Sequence, residues 1–368
     1  MTNDFCRGCG TKLQSEHADK PGYIPLESIS GKKQLICRRC YRVTHYGELN
    51  GAGPDSQQIQ SNLTKAIAVS DLLILVADFL DITGSIPVWQ TLIGSKPYLL
   101  VLNKIDLLPE RTKPEEVNVY LDQYLEGRLP KPRSIHLVSG LKGKGISGLS
   151  QRLNQVTAPG HKIACIGVTN VGKSSIIKNF LQAEGSAYNP TVSRYPGTTM
   201  GLSNWSILKG RNTLIDTPGF NPGGRFMDLL CAGCASRLMP LSKLEQKLWS
   251  FKPGKGLILG GLAGLEFGGD DETVAIAFAA SQQALHRTDN SKIAGLLKEG
   301  PKWLNQCCEA CCQKLDWLTE TAVVDPNQDL SIAGLGWVSI RKKPAEIKLT
   351  LPKGILWEVR PALIGKKE

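Results

Sequence analysis

The residues with the clearest chemistry are Gly167-Val168-Thr169-Asn170-Val171-Gly172-Lys173-Ser174. The spacing G-x-x-x-x-G-K-S suits a loop whose main-chain N–H groups wrap a phosphate. Lys173 is placed to reach β- and γ-phosphates, and Ser174 to hold Mg²⁺. Gly167, Asn170, Val171, Gly172 and Ser175 complete the candidate phosphate contacts. Such a loop must be entered by a strand and left by a helix. The apolar run Lys162–Ile166 reads as the strand, and Ser174–Leu181 as the helix. The N-terminus of that helix adds positive potential where the phosphate would sit.

A second group can read a base. Tyr98–Leu102 is an apolar strand that ends in Asn103-Lys104-Ile105-Asp106. N-K-x-D is the guanine-recognition pattern. The Asp106 carboxylate can accept from the ring N–H and the exocyclic amine of guanine, a donor pair that adenine lacks. The Lys104 stem can lie over the base, and the Asn103 amide can bond the base and fix the loop. Comparable bidentate base contacts discriminate by roughly 1–3 kcal/mol. A further strand, Ser134–Val138, ends in Ser139-Gly140, a loop able to offer N–H to the guanine oxygen. Gly143–Leu149 then opens a helix. Upstream, Asp71–Asp78 reads as a buried parallel strand. Asp78 and Asp81 at its C-terminal edge either line the site or cap a loop.

Downstream of the phosphate loop, Pro196-Gly197-Thr198-Thr199 has the pattern of a first switch. Its threonine would bind Mg²⁺ and sense the γ-phosphate; Thr199 is favoured, with Thr198 the alternative. Strands at Leu202–Leu208 and Asn212–Ile215 lead to Asp216-Thr217-Pro218-Gly219. There Asp216 would serve Mg²⁺ through water and the Gly219 N–H would meet the γ-phosphate. The motifs thus run base recognition, base loop, phosphate loop, first switch, second switch. That is a circularly permuted order of an α/β, Ras-like P-loop GTPase domain. Chain termini of compact domains commonly lie close together, so the reordering is sterically acceptable.

Elements around this core divide the 368 residues into three regions. Residues 1–50 hold Cys6-Arg7-Gly8-Cys9 and Cys37-Arg38-Arg39-Cys40, two C-x-x-C knuckles suited to one closed, structural zinc site. Residues 60–220 carry the nucleotide motifs. Residues 221–368 form a C-terminal α+β region, in which Lys255–Leu262 reads as a packed turn and strand and Thr273–Leu285 as strand or helix. From Leu330 on, the pattern is β-rich, with Lys342, Lys343, Lys348, Lys353, Arg360, Lys366 and Lys367 forming a basic end. Cys231-x-x-Cys234 and Cys307-Cys308-x-x-Cys311-Cys312 read more simply as buried thiols than as a second metal site.

The formal charge is +11, which favours a polyanionic partner. No segment has the unbroken apolar length of a membrane span, and no signal or transit pattern is seen, so the sequence predicts a cytoplasmic protein without membrane contact.

With these motifs, and with Pro21-Gly22-Tyr23, His45-Tyr46, Gly84-Ser85, Ile332–Trp337 and Arg360–Ile364, the chain resembles the YqeH-type circularly permuted GTPases. The resemblance implies a GTP/GDP- and Mg²⁺-dependent switch, monomeric, zinc-containing and acting in small ribosomal subunit assembly through the subunit or its rRNA. The alternatives are a nucleotide-gated binding protein with negligible hydrolysis, and a GTPase acting on tRNA or membrane processes. Phe220 stands where many GTPases place a water-orienting glutamine, so intrinsic hydrolysis is expected to be slow. Asn170 occupies the position that accompanies K⁺ use in related enzymes, which implies K⁺ stimulation.

Overall fold

The computed structural model describes residues 6, 12–18, 20, 22–28, 35, 37–38, 56–80, 82–185, 202–304 and 307–365. The apolar runs become strands. β1 (Leu72–Asp78) and β2 (Tyr98–Asn103) are buried at every position, as expected for strands covered on both faces. With β3 (Ser134–Leu137), β4 (Lys162–Ile166), β5 (Ser203–Ile207) and β6 (Asn212–Asp216) they form one sheet, ordered β3-β2-β1-β4-β6-β5. All neighbours are parallel except β5 and β6. The register sets Asp78 beside Asn103 and Cys165 beside Asp216. The C-terminal ends of β1, β2, β4 and β6 therefore share one edge of the sheet, which is where open α/β sheets take ligands.

By its contacts the chain divides into two compact units. The first comprises Met1–Phe79, Trp89–Ile105 and Pro132–Asn221; the second comprises Leu80–Val88, Asp106–Lys131 and Pro222–Glu368. The first unit holds the six-stranded sheet. Its helices include Ser56–Val69, Ile146–Val156 and Lys173–Ala183.

The second unit is more β-rich than its sequence alone suggests. The strands are β7 (Glu245–Phe251), β8 (Lys255–Leu259), β9 (Ala263–Gly268), β10 (Thr273–Ala279), β11 (Leu285–Asp289), β12 (Trp317–Val324), β13 (Gln328–Ile332), β14 (Gly336–Ile340), β15 (Ala345–Pro352) and β16 (Trp357–Pro361). They make two five-stranded antiparallel sheets, β16-β13-β14-β10-β7 and β11-β8-β9-β15-β12. Both sheets feed one apolar core that includes Phe251, Leu257, Phe267, Ile332, Val338 and Ile347. Phe251 and Phe267, from different sheets, stack at 4.0 Å between ring centroids. The stretch Thr273–Leu285, ambiguous in sequence, resolves as β10 and the start of β11. Its burial alternates at first, the signature of a strand with one face to the core.

One residue of the basic C-terminal end departs from expectation. Arg360 is buried, 3.9 Å from the Asp329 carboxylate and over the rings of Tyr120 and Trp337. It is a core ion-pair member, not part of a solvated basic face. Lys343 and Lys348 are exposed but pair with Asp271 and Glu266. Lys366 and Lys367 lie outside the described residues.

Candidate functional site: a phosphate-loop motif tied to two neighbouring loops

The phosphate loop leaves β4 at Gly167 and enters the helix Lys173–Ala183. Two approaches fix its path. A Cβ on Gly167 would lie 2.4 Å from the Val76 carbonyl oxygen. Gly172 has φ +89, and a Cβ there would lie 2.3 Å from Asn103 Nδ2. Asn170 also takes a left-handed conformation, with φ 69. Only a chain with glycine at both ends can run this close to β1 and to the Asn103 amide. Lys173 is nearly buried and donates to the Gly167 carbonyl at 2.7 Å. Its ammonium is thus held inside the curl of the loop, against the Gly167 and Val168 carbonyls.

Asn103 is the joint of the site. It is 2% exposed. Its Nδ2 donates to the Val171 carbonyl at 2.7 Å, and its Oδ1 accepts from the Gly140 N–H at 2.8 Å. One side chain therefore connects the phosphate loop to the Ser139–Gly140 loop. Asn179, on the helix after the phosphate loop, donates to the Gly140 carbonyl at 2.6 Å and completes the tie. The Ser139 Oγ accepts from the Lys142 N–H at 3.1 Å, closing that loop on itself. Lys104 has φ 66, and its ammonium pairs with Asp78 at 2.6 Å. Asp78 thus orders the loop through Lys104; Asp81 lies outside the described residues. Asp106 follows in the single turn Ile105–Leu107 and is the first residue of a segment assigned to the second unit.

Asp216 ends β6 and is 2% exposed. Its Oδ1 is buried and has no hydrogen-bond partner among the described residues. Burial pushes its carboxyl up to about 6, partly offset by the Lys173 ammonium. A buried carboxylate with an orphan oxygen is costly unless a cation meets it, and this is the fit expected of a Mg²⁺-facing residue. Gly219 brings the next turn against the phosphate loop: a Cβ there would lie 3.1 Å from Thr169 Cα and 3.3 Å from Lys173 Nζ. The Thr169 N–H donates to the Phe220 carbonyl at 3.0 Å, and Thr169 Oγ1 donates to Asn221 at 2.6 Å. Phe220 is itself buried.

Ser174 and Ser175 sit in the first turn of the helix Lys173–Ala183. Thr198 and Thr199 lie outside the described residues, as do Cys9 and Cys40. Cys6 and Cys37 are buried together, the Cys37 N–H donating to the Cys6 sulfur at 3.1 Å. Among the described residues, Cys231, Cys234, Cys308 and Cys311 lie with all four sulfurs within 4.8 Å of one another. They are a cluster, with Cys231 exposed, and not the buried thiols that the sequence predicts; the repeated C-x-x-C spacing is its signal in the sequence. The sequence gives no sign of Asn179 and Asn221, because single asparagines carry no pattern. No helix among the described residues is long and apolar enough to cross a membrane.

A strand, a glycine-bounded loop over a helix N-terminus, and a buried aspartate on the neighbouring strand are the parts of a P-loop nucleotide-binding domain. Residues 162–242 match the family described as 50S ribosome-binding GTPase. Across 99% of its length the chain is 28% identical to the whole of YqeH from Bacillus subtilis, a protein described as uncharacterized. It is 27% identical to NO-associated protein 1, chloroplastic/mitochondrial, of Arabidopsis thaliana, over 91% of this chain and 69% of that protein. GTPase Der of Thermoanaerobacter is 29% identical over 57% of this chain and 48% of that protein. The resemblance to YqeH-type GTPases is thus borne out over nearly the full chain.

Proposed function

We propose that the protein is a GTP-binding and GTP-hydrolysing switch that acts in small ribosomal subunit assembly through the subunit or its rRNA. The observation that carries the nucleotide half is Asn103, whose amide joins the phosphate loop to the base-reading strand. The family match covers 162–242, whereas Asn103-Lys104-Ile105-Asp106 lies upstream of it. That order supports a circularly permuted GTPase domain over 60–220, preceded by a zinc module over 1–50 and followed by a C-terminal region. In this reading Asp106 reads guanine, Lys104 covers the base, and Ser139 and Gly140 meet its oxygen. Lys173 and the N–H groups of Gly167–Ser175 hold the phosphates, and Gly219 contacts the γ-phosphate. Ser174, Thr199 and Asp216 hold Mg²⁺, which supplies charge neutralisation for phosphoryl transfer. Cys6, Cys9, Cys37 and Cys40 hold zinc. The buried phenyl ring of Phe220 can neither orient nor deprotonate water, so turnover is slow, and Asn170 directs K⁺ stimulation.

The net charge of +11 supports an RNA-rich partner. A second reading, contact with the large subunit, is favoured by the name of the matched family. Sedimentation of the full chain with cytoplasmic ribosomal particles and a non-hydrolysable GTP analogue tests both. Co-migration with small-subunit particles in the triphosphate state supports the proposal. Co-migration with the large subunit alone, or with neither, overturns the small-subunit role.

A further inference from the structure

The cysteines outside the N-terminal region form a built arrangement within the second unit. We propose that Cys231, Cys234, Cys308 and Cys311 are the ligands of a second structural metal site, selective for zinc. Two C-x-x-C pairs, 74 residues apart between Cys234 and Cys308, converge so that all four sulfurs lie within 4.8 Å of one another. A tetrahedral zinc with Zn–S near 2.3 Å needs sulfur–sulfur edges of about 3.8 Å. The Cys231 and Cys308 sulfurs are already 3.9 Å apart. That is far from the ~2.05 Å of a disulfide, so the pair is placed as ligands are placed.

The main chain is arranged for thiolates as well. The Cys308 N–H donates to the Cys234 sulfur at 3.1 Å, and the Cys231 N–H donates to the Cys311 sulfur at 3.3 Å. Each pair's first residue thus donates to the second sulfur of the other pair. Such reciprocal N–H···S bonds orient the sulfurs and share their negative charge. Cys231 and Cys308 are also the N-cap residues of the short helices Ala232–Leu238 and Glu309–Cys312. Each helix therefore carries its own knuckle. Cys234 and Cys311 are buried in the main apolar core of the unit, while Cys231 is exposed and gives a metal its route in.

Four sulfurs close the coordination shell, so the site holds structure and leaves no position for catalysis. What it holds is the start of the last segment of the second unit, Pro222–Glu368. The helices at Phe226–Leu229 and Ala232–Leu238 come soon after Gly219 in the chain, and the site fastens the second of them to the short helix Glu309–Cys312 that precedes β12. Closing so long a loop with metal ligands adds stability that these two short helices, of 4 and 7 residues, cannot supply by themselves.

The test is zinc content of the full chain by elemental mass spectrometry, in a background of Cys6→Ser and Cys37→Ser that disables the N-terminal cysteines. One equivalent is expected to remain, and cobalt in its place should show the absorption of a tetrahedral four-thiolate centre. Adding Cys231→Ser and Cys308→Ser should remove it, whereas Cys307→Ser with Cys312→Ser should leave it. Should the quadruple variant fail to fold, native alkylation of the unsubstituted chain decides. Cys231 should resist modification until a strong chelator is added. Immediate alkylation of Cys231 with no bound metal, or a mass loss that reports a disulfide within the cluster, overturns the proposal.

Discussion

Truncating Asn103 to alanine isolates the joint on which the site depends. The substitution removes the donor to Val171 and the acceptor for Gly140. Both backbone groups belong to buried residues, and a buried polar group without a partner costs about 1–3 kcal/mol. The loss should therefore be about 2–6 kcal/mol, spread over the two loops of the proposed nucleotide site. Every 1.4 kcal/mol of it that falls on binding weakens GDP affinity tenfold. Asn103→Asp sharpens the test, because its carboxylate still accepts from Gly140 but faces the Val171 carbonyl without a hydrogen to donate. GDP titration calorimetry and urea unfolding should place Asn103→Asp between the parent and Asn103→Ala, or below both if oxygen–oxygen repulsion dominates. Native hydrogen exchange should show the Gly140 amide deprotected in Asn103→Ala only. An alanine variant within about 0.5 kcal/mol of the parent, with unchanged GDP affinity, would refute the reasoning.

Three further outcomes are expected. Asp216 has its carboxyl raised from 3.8 to about 6 by burial, so in the nucleotide-free chain its contribution to stability is full below about pH 4 and falls as pH rises through 6, by about 3 kcal/mol. Asp216→Asn should flatten that part of the pH–stability curve, and excess Mg²⁺ with GDP should reverse the parent's loss; a parent curve that rises over the same window contradicts the assignment. Gly172→Ala should weaken GDP binding at least tenfold, because the added methyl meets the Asn103 amide at 2.3 Å with φ +89; the deficit should be smaller when combined with Asn103→Ala, and full additivity in the double-mutant cycle would speak against the clash. GTP turnover by the full chain should be faster in KCl than in NaCl, with the difference abolished by Asn170→Ala; equal rates in the two salts count against K⁺ use.

Much of the proposed nucleotide site is legible from residue types because its parts are local. Gly167 to Ser174 specify a loop by spacing alone, and β1 and β2, apolar up to their last residues Asp78 and Asn103, announce strands covered on both faces. What spacing cannot show is which distant side chains join these parts. Asn103 is readable as a base-loop residue, but its bond to Val171 spans 68 positions and depends on the β2-β1-β4 strand order. Likewise the Lys104–Asp78 pair follows from strand register, not from either motif. In the second unit, Thr273–Leu285 is short and apolar, a pattern that helix and strand share until packing decides. Arg360 reads as a surface cation because nothing local reveals Asp329 and the rings of Tyr120 and Trp337 around it.

Guanine specificity is the central claim, and Asp106 carries it. The direct measurement is competition of GDP and xanthosine diphosphate for the full chain and for Asp106→Asn. The carboxylate should favour GDP by a factor consistent with roughly 1–3 kcal/mol of base discrimination. In Asp106→Asn the order should invert, since the amide can donate to the oxygen that xanthine carries in place of the amine. An unchanged GDP preference in a folded Asp106→Asn chain would contradict the account.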